Sequence, residues 1–452
     1  MEPIDRFRAA VRIKTDWPSA AVPGDPRGEA PLVDFRDFLA EAYPAFHKAA
    51  ERWALSPYAL VYRWPGGGTS GGGDGGPEKP VLVLAHYDVV PAETEKWTVD
   101  PFGAELRDGY VYGRGTLDMK SILIGIMEGA ESLCARGFRP RRDIWFAFGG
   151  DEERTGILGA RETARWFAER GLRFSFVLDE GTPVAEGMIP GVEGPLALFG
   201  IEEKGFLSLD LSVQQQPGHA SRPPGVQAAA VLARALVRIA KKPFPFTLSP
   251  TAEVFFRKLS AFAPGPRGWV MAHARLLGKL FFKAAAASPD IAALLRTTVA
   301  MTQLEGSPAD NVMPSAVRAV LNIRLLSPWT IESAVAFIER AIGDKRVAVG
   351  VHGFASGPIP ANPGHTRLSG PGWKEMCGAL EAVYPGTPVF PFMMLATTDS
   401  RHYRDLAEGI FRFSPHRLNP RELALIHGHD ERISTENFAA GVRFYEALFE
   451  GL

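Results

Sequence analysis

The sequence predicts an α/β domain with a largely parallel sheet, into which a smaller α+β domain is inserted. Short apolar runs at 81–85, 143–148 and 174–178 predict buried strands, and helical patterns at 119–136 and 159–170 lie between them. Strands that alternate with helices favour a parallel sheet, because each helix returns the chain to the edge from which the next strand starts.

The pattern changes near residue 200, where the inserted domain is predicted to begin. Alternating apolar residues at 206–213 and 316–325 predict strands with one buried face, and 227–240 predicts a helix. The α/β pattern resumes near Val351. The predicted segments are 1–199 and 353–452 for the interrupted domain and 200–352 for the insertion, which carries an apolar extension at about 241–302.

Composition excludes several classes of protein. The 452 residues are 46% hydrophobic, enough for a large core, and their formal net charge of −1 lacks the basic excess of a nucleic-acid binder. Cys134 and Cys377 indicate neither a disulfide framework nor a thiolate zinc site. The amino terminus lacks the apolar core of a signal peptide, and charged residues make 268–287 too polar to span a membrane. We therefore expect a cytoplasmic protein with no membrane span and no nucleic-acid partner.

A glycine-rich segment at 66–76 contains a formal G-x-S-x-G match at 68–72. A serine nucleophile in this motif stands at a turn between a strand and a helix. No helix is predicted after this serine, and its neighbours are nearly all glycine. The segment is therefore interpreted as a flexible surface loop.

Histidine and carboxylate motifs follow the predicted strands. They are H-Y-D at 86–88, G-R-G-T-L-D-M-K at 113–120, G-D-E-E at 150–153 and L-D-E at 178–180. Taken singly, such motifs are more often surface hydrogen-bond pairs or solvated helix starts. Sites in open α/β sheets assemble at this edge, and carboxylates buried together need cations. Imidazole and carboxylate without thiolate suit catalytic zinc or a related divalent ion.

A fifth motif, I-H-G-H-D-E-R-I-S at 426–434, precedes a predicted C-terminal helix that Ser434 can cap. It contains two histidines, His427 and His429. Either could supply a second imidazole to the predicted metal site.

Taken together, these motifs resemble those of the dinuclear-zinc aminoacylases, carboxypeptidase S and the N-fatty-acyl-amino-acid hydrolases. The stretches that carry the resemblance are HYDVVPAETEKWTVDPF from His86, DGYVYGRGTLDMK from Asp108, GDEERTGILGA from Gly150, GHASRP from Gly218, NVMPS from Asn311, TDSRHY from Thr398 and IHGHDERIS from Ile426. The resemblance covers most of the chain. It implies a zinc-peptidase-like catalytic domain with an inserted lid domain of the dimerisation type.

The resemblance also implies a set of metal ligands. His86 and Asp179 would bind one ion, His427 and Glu153 the other, and Asp118 would bridge both. Two divalent ions are implied, zinc first, with manganese or cobalt as alternatives that the same ligands suit. The peptide bond after the bridging Asp118 is expected to be cis.

Further residues receive roles in catalysis. Glu152 is the expected general base, and Asp88 should orient the His86 imidazole from behind. His219 alone would be an ordinary loop histidine, but the family places it in the lid, stabilising the oxyanion and often acting across a dimer interface. Asn311 and Arg324 resemble lid residues that hold substrate, although Arg324 could instead form a structural ion pair.

The predicted function is metal-dependent hydrolysis of an amide bond next to a free carboxylate, in an N-acyl-amino acid or a short peptide. The alternative is a catalytically inactive binder of the same molecules. A homodimer through the lid is possible, and the motifs are common to aminoacylases and exopeptidases. The apolar extension either lines a groove for an acyl chain or thickens the lid core.

Overall fold

A computed structural model describes residues 1–16, 24–67, 78–189, 192, 194–263, 265–307 and 309–452. These residues form two compact units, which we call unit 1 (Met1–Ile201, Ala361–Phe392 and Thr398–Leu452) and unit 2 (Glu202–Pro360 and Met393–Thr397). The G-x-S-x-G match at 68–72 and most of its glycine segment lie outside the described residues.

The first elements of the chain supply most of the strands of unit 1. The helices are α1 (Pro3–Arg12), α2 (Pro26–Ala42), α3 (Pro44–Ala49), α4 (Lys120–Ala135) and α5 (Ala160–Glu169). The strands are β1 (Glu51–Ser56), β2 (Ala59–Trp64), β3 (Val81–His86), β4 (Glu105–Arg107), β5 (Tyr110–Tyr112), β6 (Ile144–Gly149), β7 (Val177–Glu186) and β8 (Pro195–Glu203).

Unit 2 contains a four-stranded antiparallel sheet and six helices among its described residues. The strands are β9 (Gly205–Gln214), β10 (Gly218–His219), β11 (Thr298–Glu305), β12 (Val312–Met313), β13 (Ala316–Leu325) and β14 (Ala348–Val351). The helices are α6 (Ala228–Lys241), α7 (Pro250–Leu259), α8 (Pro266–Ala272), α9 (Gly278–Ala285), α10 (Pro289–Leu295) and α11 (Ile331–Ile342). The sheet order is β11-β13-β9-β14. Alternate residues of β9, among them Leu207 and Leu209, pack against α6 and α11.

The last elements complete unit 1. They are helices α12 (Pro363–Thr366), α13 (Trp373–Val383), α14 (Pro420–Leu423) and α15 (Thr435–Glu450) and strands β15 (Val389–Met394), β16 (Ile410–Leu418) and β17 (Arg432–Ser434). Three 3-10 segments lie at Thr94–Lys96, Ser260–Phe262 and Asp399–Leu406.

The large sheet has the order β1-β2-β6-β3-β7-β16-β8-β15. Its four central strands, β6, β3, β7 and β16, run parallel, and antiparallel strands flank them. Helix α4 is buried along most of its length and packs against α15. A side chain at Gly129 would lie 2.9 Å from the backbone nitrogen of Glu446, so glycine permits this close approach. The predicted α/β class is confirmed.

The apolar extension of unit 2 divides its side chains between core and surface. Phe244 packs against Trp329 and Phe337 in the core of unit 2. Phe256 and Phe281 are buried against each other, with ring centroids 5.0 Å apart. The stretch at 268–287 forms two short helices, α8 and α9, with a turn between them. Within the described residues, no helix combines the length and apolarity needed to cross a membrane.

Candidate metal centre

Three neighbouring parallel strands bring the predicted motifs to one edge of the large sheet. His86 is the last residue of β3, and the G-D-E-E motif follows β6, which ends at Gly149. The third strand, β7, does not end before Asp179 as predicted but continues to Glu186. Strand β7 bulges against β16. Asp179 pairs with Arg412 and Thr182 pairs with the next residue, Phe413, so Glu180 and Gly181 have no partners in this ladder.

His86 is held by Asp88, the residue expected behind its imidazole. The Nδ1 atom of His86 lies 3.0 Å from the backbone carbonyl oxygen of Asp88 and 3.4 Å from the side-chain Oδ1 of Asp88. The fully buried Asp88 carboxylate also accepts hydrogen bonds from the backbone N–H groups of Glu152 and Glu153. One side chain therefore connects the ends of β3 and β6, and it directs Nε2 of His86 into the site.

Asp118 lies between two imidazoles. Its Oδ1 is 3.0 Å from Nε2 of His86, and its Oδ2 is 3.0 Å from Nε2 of His427. Burial alone would raise the pKa of Asp118, but hydrogen bonds from His427 and His86 lower it below its ordinary value. The Asp118–Met119 peptide is cis, as expected. Each oxygen of one carboxylate thus faces a different imidazole, which is the arrangement that a bridging ligand requires.

The imidazole on the other side of Asp118 is that of His427, the histidine that the family resemblance favours over His429. Nε2 of His427 also lies 3.2 Å from Oε1 of Glu153. Hydrogen bonds to Asp118 and Glu153 raise the pKa of His427 to about 10. His427 has a φ of 61°, a left-handed conformation that is uncommon for a residue other than glycine.

A buried ion pair holds the two loops that carry Asp118 and His427. Glu431, fully buried, accepts a 2.6 Å hydrogen bond from Arg114 and a 2.7 Å hydrogen bond from the backbone N–H of Leu117. Arg114 in turn donates to the carbonyl oxygen of His427. Both residues belong to motifs of the predicted site, Arg114 to G-R-G-T-L-D-M-K and Glu431 to I-H-G-H-D-E-R-I-S, but neither motif predicts that they pair.

Glu180, next to the predicted ligand Asp179, lies closer to the first imidazole. Its Oε1 is 3.3 Å from Nε2 of His86. The two oxygens of Asp179 accept hydrogen bonds from the backbone N–H groups of Ser400, at 2.7 Å, and Glu180, at 2.9 Å. Sequence reasoning did not select Glu180, although it belongs to the same L-D-E motif.

The donor atoms fit divalent cations. Two sets have all their donors within 4.8 Å of one another: His86 with Glu152 and Glu180, and His86 with Asp118 and Glu153. Burial raises the pKa of Glu152, Glu153, Asp179 and Glu180, that of Glu180 to about 8. Their ionised forms therefore require positive charge nearby, and nitrogen and carboxylate donors suit zinc, manganese or cobalt.

The remaining predicted residues lie in unit 2. His219 of β10 pairs with Val312 of β12, and the backbone N–H of Ala220 donates to the carbonyl oxygen of Asn311. This short ribbon brings His219 and Asn311 together, and both are exposed.

Arg324, in β13, belongs to a cationic group of the same unit. Its guanidinium stacks on the ring of Phe206 at 4.8 Å and donates to Oδ1 of Asn322. Burial and the charges of Arg324 and Arg296 lower the pKa of Lys204 to about 7, and Lys204 donates to the Arg296 carbonyl oxygen. Lys204 follows Glu202 and Glu203 in the sequence, which suggests local ion pairs for this lysine. The sequence therefore gives no sign that it lies beside Arg324.

Comparison with known proteins decides the family. Residues 82–451 match peptidase family M20/M25/M40. The chain belongs to this family. The matched region begins at β3 and contains every predicted site residue, and membership identifies the chain as a hydrolase.

Individual relatives of this M20 protein agree with the resemblance drawn from its motifs. It is 34% identical over 451 residues to the N-fatty-acyl-amino acid synthase/hydrolase PM20D1 of Xenopus tropicalis, covering 99% of this chain and 85% of that protein. It is 33% identical over 425 residues to the probable carboxypeptidase S-like 2 of Dictyostelium discoideum, covering 93% and 80%. The M20 family metallo-carboxypeptidase Sso-CP2 of Sulfolobus solfataricus shares its fold, with a TM-score of 0.73, 16% identity and coverage of 100% and 99%.

Proposed function

We propose that this M20 hydrolase uses two divalent metal ions to cleave an amide bond next to a free carboxylate, in N-acyl-amino acids or short peptides. The observation that carries the proposal is the position of Asp118, whose two oxygens each lie 3.0 Å from a different imidazole. The names of the relatives support the substrate class, since they include an N-fatty-acyl-amino acid synthase/hydrolase and a probable carboxypeptidase S-like protein.

His427 and Glu153 would hold one ion, and His86 the other, with Asp118 shared between them. Either Asp179 or Glu180 would complete the His86 site, and the 3.3 Å approach of Glu180 to His86 favours Glu180. When bound, such a pair of ions polarises the substrate carbonyl and acidifies water. Measuring the metal content of Asp179→Asn and Glu180→Gln separates the two assignments. Only the variant that lacks the true ligand should lose an ion.

Glu152 would act as the general base. It follows Asp151 at the end of β6, and its backbone is anchored by Asp88, so its carboxylate is held beside the predicted ligands. Burial and the neighbouring carboxylates raise its pKa well above the ordinary value. Such a group can take a proton from the attacking water and return it to the leaving amine.

Unit 2 would act as the lid that binds the substrate. Arg324 and Asn311 are proposed to hold the substrate carboxylate, with Lys204 adding positive charge beside Arg324. His219 is proposed to stabilise the oxyanion, within one chain or across a homodimer. The homodimer and a cytoplasmic location both remain predictions.

The extension would receive the acyl side of the substrate. It contains an open cavity of about 230 Å³, whose lining includes Leu248, Ala274 and Phe282 and also the charged Glu253 and Arg275. Each methylene buried there would raise catalytic efficiency about fourfold, from about 0.8 kcal/mol of transfer free energy. The other interpretation, a thicker lid core, is supported by Phe244, which packs in the core of unit 2.

The deciding experiment is a hydrolysis screen of N-acyl-amino acids of increasing chain length, with dipeptides alongside. We expect chelator treatment to abolish hydrolysis and zinc, manganese or cobalt to restore it. Amidating the substrate carboxylate should lower kcat/KM severely. Full activity after complete metal removal would contradict the proposed chemistry, and indifference to amidation would remove Arg324 from the binding site.

A further inference from the structure

The extension of unit 2 exposes large apolar side chains on its helices and on the turn between them. Trp269 of α8 is 56% exposed, Leu276 in the turn is 81% exposed, and Leu280 of α9 is 55% exposed. The core of the extension contains other side chains, among them Phe256, Leu259 and Phe281, which are buried. We call Trp269, Leu276 and Leu280, with the basic residues around them, the extension surface.

The extension surface is also strongly basic. Residues 254–289 contain six lysines and arginines and no aspartate or glutamate, in a chain whose net charge is −1. Arg267, Arg275, Lys279 and Lys283 are all exposed. Arg275 lies 3.5 Å from Glu253, which precedes this stretch. Positive charge is thus concentrated where the apolar side chains are exposed.

Helix α9 shows how the two features are combined. Phe281 and Ala285, four residues apart, are buried against the extension. Lys279, Leu280 and Lys283 lie on the exposed part of the same helix, so an apolar side chain lies next to two cations. Trp269 and His273 lie together in the preceding segment, with ring centroids 4.8 Å apart.

We propose that the extension surface binds peripherally to an anionic phospholipid bilayer. Leucine and tryptophan side chains enter the boundary between headgroups and acyl chains, while lysine and arginine attract the lipid phosphates. A bilayer accommodates both features of the extension surface at once, since its phosphates attract the cations and its acyl boundary receives the leucine and tryptophan side chains. The proposal does not depend on the proposed catalytic chemistry, since it concerns binding alone.

The test is co-sedimentation of the full chain with vesicles. One set contains phosphatidylcholine alone, and the other also contains about 30 mol% phosphatidylserine, to supply the negative surface potential. We expect binding only to the second set, and we expect it to weaken as salt rises from about 0.1 M to about 1 M, because screening shortens the reach of the charges.

Two double variants test the two features separately. Leu276→Ser/Leu280→Ser should lower the partition coefficient by at least about tenfold through lost apolar burial. Lys279→Glu/Lys283→Glu should do the same through charge reversal. The matched controls are Leu106→Ser/Leu423→Ser and Lys48→Glu/Lys374→Glu, which change exposed leucines and lysines of unit 1 and should bind as the wild type does.

Several results would overturn the proposal. One is an absence of phosphatidylserine-dependent binding by the wild-type chain. Another is wild-type binding by both extension variants at an unchanged Tm. A shift of the leucine variant from dimer to monomer, with no vesicle binding by the wild type, would assign the extension surface to a second copy of the chain instead.

Discussion

The candidate metal centre of unit 1 and the candidate lid residues of unit 2 differ in how their side chains are held. Asp88 joins the ends of two strands, and Glu431 joins two loops distant in sequence. The exposed His219, by contrast, accepts a hydrogen bond on Nδ1 from the N–H of Ser221, two residues further along the same loop. The side chains of the candidate metal centre are thus held in place within unit 1, whereas the proposed role of His219 would need substrate or a neighbouring subunit to fix its position.

This difference predicts that substitutions in the two regions fail in different ways. Changes at the proposed ligands of unit 1, or at the residues that hold them, should alter metal content and stability, because ligands and scaffold are connected there. Changes at the exposed residues of unit 2 should alter turnover and leave metal content unchanged.

The largest effect is expected from Asp118→Ala. Both ions should be lost, because each depends on one oxygen of this carboxylate, and hydrolysis should fall below detection. Metal analysis by mass spectrometry checks the prediction, with the exposed Asp37→Ala as a control that should retain both ions. Two tightly bound ions in the Asp118 variant would contradict the bridging role.

Glu152→Gln should lower kcat by about 10²–10⁴-fold with both metals retained, as expected for loss of a general base. The structure makes this test sharp, because Glu152 also belongs to a donor set that could hold an ion with His86 and Glu180. Loss of one ion would identify Glu152 as a ligand and transfer the role of base to another residue. Glu169→Gln, on an exposed site of α5, serves as the control.

Apolar patterns predicted the scaffold of the site well. The predicted strand at 81–85 ends one residue before β3 does, and the predicted helix at 119–136 is one residue longer than α4 at each end. Both elements are largely buried and mostly apolar, which makes their pattern clear. The strand at 316–325 coincides with β13, whose alternation reflects one buried face.

The same reasoning failed where polar residues continue a strand or where contacts are distant. Strand β7 runs through Asp179 and Glu180, and carboxylates inside a strand carry no apolar signal, so its predicted end was wrong. The pairing of Arg114 with Glu431 joins residues 317 positions apart, which no local pattern encodes. The stretch at 268–287 is broken by a turn that its apolar composition does not indicate.

His219→Ala should lower kcat by about 10²–10³-fold, as loss of an oxyanion donor does, with metal content and Tm unchanged. His273→Ala, another exposed histidine of unit 2, should leave the hydrolysis of a soluble substrate near the wild-type rate. If His219 acts across a dimer, mixing the His219→Ala and Glu152→Gln proteins under subunit exchange should recover activity. Loss of metal from the His219 variant would contradict the expectation that changes at the exposed residues of unit 2 leave metal content unchanged.

The smallest functional effect, and the most direct test of the scaffold, is expected from Glu431→Gln. The substitution preserves shape but leaves the Arg114 guanidinium buried without its counter-charge, which costs about 3–5 kcal/mol of stability when a buried pair is broken. Because Glu431 also accepts a hydrogen bond from the Leu117 N–H beside Asp118, we expect metal affinity to fall by about 10–100-fold, as for other residues that orient ligands.

Glu186→Gln is the matched control, since the ion pair of Glu186 with Arg417 is exposed and should contribute at most about 1 kcal/mol. Chelator competition measures the affinity and denaturant unfolding measures the stability. If Glu431→Gln matched the control in both measurements, the loops carrying Asp118 and His427 would be held by something other than this ion pair.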